Sequence, residues 1–248
     1  RKCRAELEHS CDSLCELGIG GTAAGTGLNA HPEYRGRMVR VLSELSGLRL
    51  TGADDIAESM QNQDQFLKAM AAMRTLAVAL TRIANDLRLL SSGPHTGLRE
   101  IELPPVQPGS SAMPGKVNPS IVEMLNMVCY QVLGNDTCVA YACQAGQLEL
   151  NVMMPLMIHN VLFSAEIMAN AVRVFRERCV EGITANVERC RTYAESTAGL
   201  AMALNPYIGY ARAAEIAKRA AAEGRSIYEV AKEEHILPDD VLESLLRP

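Results

Sequence analysis

The sequence predicts an all-α protein: a bundle of long helices followed by a small C-terminal helical domain. Three observations carry that expectation. Aromatic residues make up 4% of the chain, with no Trp and three Phe, while Ala, Leu and Met dominate, a composition that favours helix over sheet. Apolar residues recur at spacings of three and four over long segments. From about Asn186 onward, Pro206, Gly209, Gly224 and Pro238 cut the pattern into shorter helices. The expected division is 1–180 for the bundle and 181–248 for the small domain.

The chain has 248 residues, 48% hydrophobic and 21% charged, enough to bury a core as one or two domains. A formal net charge of −5 argues against a nucleic-acid partner, which calls for a basic face. No apolar stretch is long enough to span a bilayer and no signal peptide opens the chain, so the expectation is a cytoplasmic protein without a membrane partner. The opening Arg1-Lys2-Cys3-Arg4 reads as entry partway along a helix, and a fragment is expected. The eight cysteines are spread through helical segments without a Cys-x-x-Cys pair. They read as buried free thiols in a reducing compartment rather than as a disulfide or zinc framework.

The first long helix is expected from Asp54 to Leu90, with Phe66, Met70, Met73, Ala77, Leu80, Ala84 and Leu87 along one seam. Its roughly 37 residues would span about 55 Å at ~1.5 Å per residue, and a helix of that length needs companions. Gly93-Pro94 stops it. The second helix starts after Pro119 and runs to about Ala145, with Met124, Val128, Val132 and Val139 inward. The third runs from about Asn151 to Arg178, with Pro155 in its first turn and Leu156, Phe163, Ile167 and Val174 on its apolar side.

Two stretches are irregular. Gly18–Gly27 is too glycine-rich for a helix interior; as a phosphate cradle it lacks Gly-Lys-Ser/Thr and a preceding strand. Residues 93–119 form a long loop between two long helices, and such loops are either functional or disordered.

The loop ends in Gly109-Ser110-Ser111-Ala112-Met113-Pro114-Gly115-Lys116-Val117-Asn118-Pro119. It offers two hydroxyls, a cation, a carboxamide, and glycines that let backbone N–H groups approach a ligand. Lys116 can pair with a carboxylate and Asn118 can donate to its second oxygen. The helix after Pro119 turns its positive end toward the same place. These residues suit a small anion, although composition alone favours a solvated turn.

Their order resembles the signature of the fumarase/aspartase superfamily. Gly20–Asn29, Asn85–Pro94, Gly146–Val152 and Leu204–Gly209 resemble further segments of that family, so the likeness covers essentially the whole chain. It implies a lyase without metal or cofactor that takes a proton from the carbon next to a carboxylate and expels a group from the adjacent carbon, leaving fumarate. Ser110 would be the general base. Lys116 and Asn118 would hold the carboxylate that gains charge in an enolate-like intermediate, and Ser111 would add a hydrogen bond or shape the turn. Glu123 has two readings: compensation of a helix dipole in a first turn, or, as in relatives, the partner of an active-site histidine.

That histidine belongs to a Thr-His motif which, with a Ser/Thr-Asn substrate motif, precedes the glycine-rich segment in the family. Neither motif occurs here, and His9, His31, His95, His159 and His235 read as surface or packing residues. The resemblance implies a homotetramer whose sites draw on three subunits, and little turnover from this chain alone. Asn85–Leu90, Gly134–Cys138, Gly146–Met153 and Gly182–Asn186 look closer to aspartases, which release ammonia from L-aspartate; Asn205–Tyr210 is as close to fumarases, which act on malate. Met154 fits neither pattern, and Ala112 replaces the usual Ile. A non-catalytic structural member of the superfamily is the third reading.

Overall fold

The computed structural model describes residues 1–246. It is helical, with strands of only two residues each among the described residues. The contacts divide the chain into two units: residues 1–89 with 103–182, and residues 90–102 with the chain from Ile183 onward.

The first unit is built on three long helices, numbered in chain order as α4 (Asp64–Leu90), α5 (Ser120–Gln144) and α6 (Met154–Arg178). Their shared core includes Met70, Met73, Ala77 and Ala84 of α4, Val122, Leu125, Val132 and Val139 of α5, and Met157, Met168 and Phe175 of α6. Polar rungs set the register. Asn126 Nδ2 donates to Asn85 Oδ1 at 2.9 Å, and Arg74 Nη1 reaches Asp136 Oδ2 at 2.8 Å, which makes α4 and α5 antiparallel. Asn135 Nδ2 donates to Ser164 Oγ at 2.9 Å, and α6 returns antiparallel to α5. Each rung pairs a buried polar group that would otherwise be costly to bury, while Asn126 Oδ1 and Asp136 Oδ1 have no hydrogen-bond partner among the described residues.

Three expectations for these helices change. The helix expected from Asp54 is two helices, α3 (Ile56–Gln61) and α4, so the long one spans 27 residues and about 40 Å at ~1.5 Å per residue. Asn62 between them is extended, and the buried Gln63 turns its amide back onto the carbonyls of Ser59 and Met60. The free ends of α3 are thereby satisfied without continuing the helix. The third helix begins at Met154 rather than Asn151. Asn151 is fully buried, donates to the carbonyls of Ala142 and Cys143, and accepts from Met153 N–H. The face of α6 also differs: Met157, Val161, Ser164, Met168, Ala171 and Phe175 are buried, whereas Leu156 and Phe163 are exposed. A helix apolar on more than one side does not reveal by periodicity which side is inward.

Ahead of the bundle lie α1 (Lys2–Ser13) and α2 (Tyr34–Ser46). Between them runs the glycine-rich segment, in which Gly18, Gly21 and Gly25 allow close packing against α3. A Cβ on Gly25, whose φ is +81°, would lie 2.3 Å from Ala57 Cα; one on Gly21 would strike Met60 and Ile56. The segment sits against α3, and the strand Glu16–Leu17 pairs in parallel with Thr51–Gly52.

The second unit contains α7 (Val187–Ser196), a 3-10 helix at Ala198–Leu204, α8 (Asn205–Glu223), α9 (Ile227–Glu233) and α10 (Asp239–Leu246). Its core holds Leu204, Ile216, Val230, Leu242 and Leu246. The expected junctions are visible locally: Gly209 kinks α8 at φ 78°, Gly224 ends it in the left-handed conformation, and Ser226 with Glu229 forms a capping box on α9. Residues 90–102 join this unit through Ile101–Glu102, antiparallel to Thr184–Ala185, and through Arg189 Nε donating to Leu98 O. Arg219 meets Glu223, Glu233 and Glu234, and Arg225 meets Glu223 and Glu233. Hydrogen bonds from these guanidiniums hold the Glu223 and Glu233 carboxyls below the ordinary range. The α8–α9 network is therefore intact at neutral pH and is lost as pH falls through those lowered values.

All eight cysteines are free thiols, but burial applies fully only to Cys129 and Cys179; Cys11 is exposed. Desolvation pushes the Cys129 and Cys179 thiols up, so they are protonated and inert at neutral pH. No helix among the described residues is long and apolar enough to cross a membrane.

The glycine roles are testable by sign. Gly25→Ala meets both a left-handed φ and a backbone clash and should lower stability by more than about 1 kcal/mol. Gly36→Ala, inside α2 with open space around it, should raise stability by about 0.5–1 kcal/mol. Thermal unfolding of both variants checks this, and equal shifts would contradict it.

Candidate active site

The loop ahead of α5 is closed by its own backbone. Gly109 N–H donates to Lys116 O at 2.8 Å, and Asn118 Nδ2 donates back to Gly109 O at 2.8 Å. Lys116 N–H reaches Met113 O, and Gly115 takes a φ of +81° at the tip. A Cβ on Gly109 would lie 2.6 Å from Lys116 O, so a side chain there is incompatible with closure. Gln107 Nε2 donates to Ser120 Oγ, tying the entry of the loop to the first residue of α5. No side chain caps α5 at Pro119.

Within this frame Ser110 Oγ accepts from two backbone N–H groups, Ala112 at 3.1 Å and Met113 at 3.2 Å. Both donors would strengthen their bonds if the hydroxyl lost its proton, because a charged acceptor binds N–H more tightly than a neutral one. Ser110 and Asn118 are half-buried; Ser111 and Lys116 are exposed. One N–H of the Asn118 amide is committed to Gly109, leaving the other for a ligand. The structure thus gathers Ser110, Ser111, Lys116 and Asn118 on one closed turn. The cavity at its foot, lined in part by Leu103, Asn118, Pro119 and Cys179, measures about 10 Å³, room for no more than one water.

Glu123 lies in the first turn of α5. Its Oε1 faces Arg88 Nη2, in the last turn of α4, at 3.6 Å. The five histidines are all exposed; His159 stacks on Phe163, and His31 Nδ1 accepts from Glu33 N–H. Arg88 is the neighbour that sequence reasoning passed over. The available signal was a cation in the last turn of one helix and an acid in the first turn of the next.

Comparison with known proteins places this geometry in a class. A family model described as Lyase matches residues 3–134, and one described as Fumarase C C-terminus matches residues 200–248. The chain is 45% identical over 242 residues to aspartate ammonia-lyase of Bacillus subtilis, covering 98% of this chain and 51% of that protein. Its identity to aspartate ammonia-lyase of Pseudomonas fluorescens is 48% over 235 residues, covering 95% of this chain and 49% of that one. The crystal structure of a fumarate lyase:delta crystallin from Brucella melitensis bound to cobalt superposes with a TM-score of 0.95 at 48% identity, covering 99% of this chain and 53% of that one. A class II fumarase from Schistosoma mansoni gives 0.92 at 33% identity, covering 100% and 55%. The fold is that of a helical-bundle lyase. More particularly, this chain belongs to the fumarase/aspartase superfamily, and it spans about half the length of the curated relatives it matches.

Gly109→Ala tests the loop closure. It should leave the thermal unfolding midpoint within a few degrees, while limited proteolysis within residues 108–119 becomes faster. Unchanged proteolysis would contradict the closure described.

Proposed function

We propose that the full-length protein containing this chain is an aspartate ammonia-lyase, and that Ser110 is its general base. The observation that carries the proposal is the pair of backbone N–H groups on Ser110 Oγ, in a turn that also presents Lys116 and Asn118. With its hydroxyl proton given up to solvent water, Ser110 Oγ takes a proton from the methylene carbon of L-aspartate. The electron pair of that C–H bond moves into the neighbouring carboxylate, which becomes enolate-like and carries an extra negative charge. Lys116 and the free N–H of Asn118 hold that carboxylate, and Ser111 offers a hydroxyl beside it. As the enolate collapses, the carbon–carbon double bond of fumarate forms and ammonia leaves with the C–N electron pair. Glu123 serves the acid–base chemistry of the completed site. Relatives named aspartate ammonia-lyase at 45–48% identity support the choice of substrate.

The completed site needs more than the turn, since the 10 Å³ cavity beneath it is too small for a dicarboxylate. The reading is a homotetramer with shared sites in the cytoplasm, and this chain alone is inactive. Large apolar side chains left exposed on the bundle support association: Val78 on α4, Met127 and Tyr141 on α5, and Leu162 on α6. Exposed apolar side chains of this size suit a surface that another chain covers. The second reading, a fumarate hydratase acting on malate, draws on the likeness to the Schistosoma mansoni fumarase and on the match of residues 200–248.

Fumarate formation measured on the full-length protein separates the readings. Activity with L-aspartate and none with L-malate is expected; malate-only activity selects the hydratase, and activity with neither selects a structural role. In the active protein, Lys116→Met should lower kcat/KM by about 10²–10³-fold, the effect of removing one donor to a developing oxyanion. A change below about threefold would remove Lys116 from the site.

A further inference from the structure

The last turn of α4 and the first turn of α5 bring opposite charges together. Arg88 Nη2 lies 3.6 Å from Glu123 Oε1, with both side chains partly exposed. The two residues are 35 positions apart, and their meeting follows from the antiparallel register of the helices. One turn further along, Asn126 donates to Asn85 at 2.9 Å. Arg88 follows Asn85 by three residues and Glu123 precedes Asn126 by three, so each pair shares a helix face. The amide rung therefore fixes where Arg88 stands relative to Glu123. Asn126 is buried, which holds that rung in place.

We propose that Arg88 is a positioning residue for Glu123: its guanidinium orients the carboxylate at the entrance of α5 in the geometry the reaction needs. The proposal rests on the reading that Glu123 takes part in the lyase site. A carboxylate in a first helical turn has several rotamers available to it. A cation on the neighbouring helix selects among them. Because the pair is partly exposed and sits at 3.6 Å, the effect should be moderate. Exposed pairs of this kind are worth up to about 1 kcal/mol, a factor of about five.

The test is a double-mutant cycle on the full-length protein, with kcat and KM measured separately and thermal unfolding as the check on folding. Glu123→Gln should lower kcat strongly. Arg88→Gln should lower kcat about three- to fivefold with KM nearly unchanged, and Arg88→Lys should restore most of that loss. In the double variant, Arg88→Gln should add no further loss to Glu123→Gln. If Glu123→Gln leaves kcat intact, the reading of Glu123 fails, and the role of Arg88 fails with it. Where Glu123→Gln is damaging but the two losses multiply, or KM rather than kcat changes, Arg88 does not act through Glu123 and the inference alone is overturned.

Discussion

The antiparallel register of α4 and α5 is the constraint on which the site depends. It is set by polar rungs that join the exposed Asn85 and Arg74 to the buried Asn126 and Asp136, laid across a core of Met, Val, Leu and Ala. Apolar packing alone tolerates sliding by a turn, because one methyl or thioether contact substitutes for another. A buried amide does not, since a shift leaves its polar atoms unpaired at a cost of about 1–3 kcal/mol. The register places Arg88 opposite Glu123 and delivers the start of α5 to a fixed point. The loop needs only to close over ten residues, from Gly109 to Asn118, to present its hydroxyls and its cation there.

Closure of the loop and the hydrogen bonding of Ser110 Oγ come from the same turn. Gly109, by lacking a side chain, lets the Lys116 carbonyl approach, and the same turn directs the N–H groups of Ala112 and Met113 at Ser110 Oγ. An alcohol is a weak base, and backbone donors already in place lower the cost of its anion without reorganisation during reaction. Lys116 remains exposed and available to a carboxylate. In the proposed reaction these two features answer two separate needs, a stabilised base and a sink for the charge that the base creates.

Much of this was legible in the residues. The seam of α4 from Phe66 to Leu87 lies in or against the core as its spacing predicts, and Pro119 marks the start of α5 within one residue. The motif Gly109–Pro119 places the turn because Gly109 and Gly115 permit the close approach and the positive φ it needs, while its prolines restrict the backbone beside them. What stayed hidden was tertiary. Gln63 ends a helix by folding onto carbonyls behind it, and Ser164 is buried because Asn135 reaches it from another helix. Residues 90–102 join the C-terminal unit through partners about 90 positions away. The pairing of Arg88 with Glu123 likewise exists only once the helices are in register.

The claim that matters most is that Ser110 is the base, and its replacement tests it most directly. In the full-length protein with L-aspartate as substrate, Ser110→Ala should retain the fold and substrate binding while kcat falls by about 10²–10⁴-fold, the range for losing a general base. Turnover within a factor of about two of the unaltered protein would contradict the account.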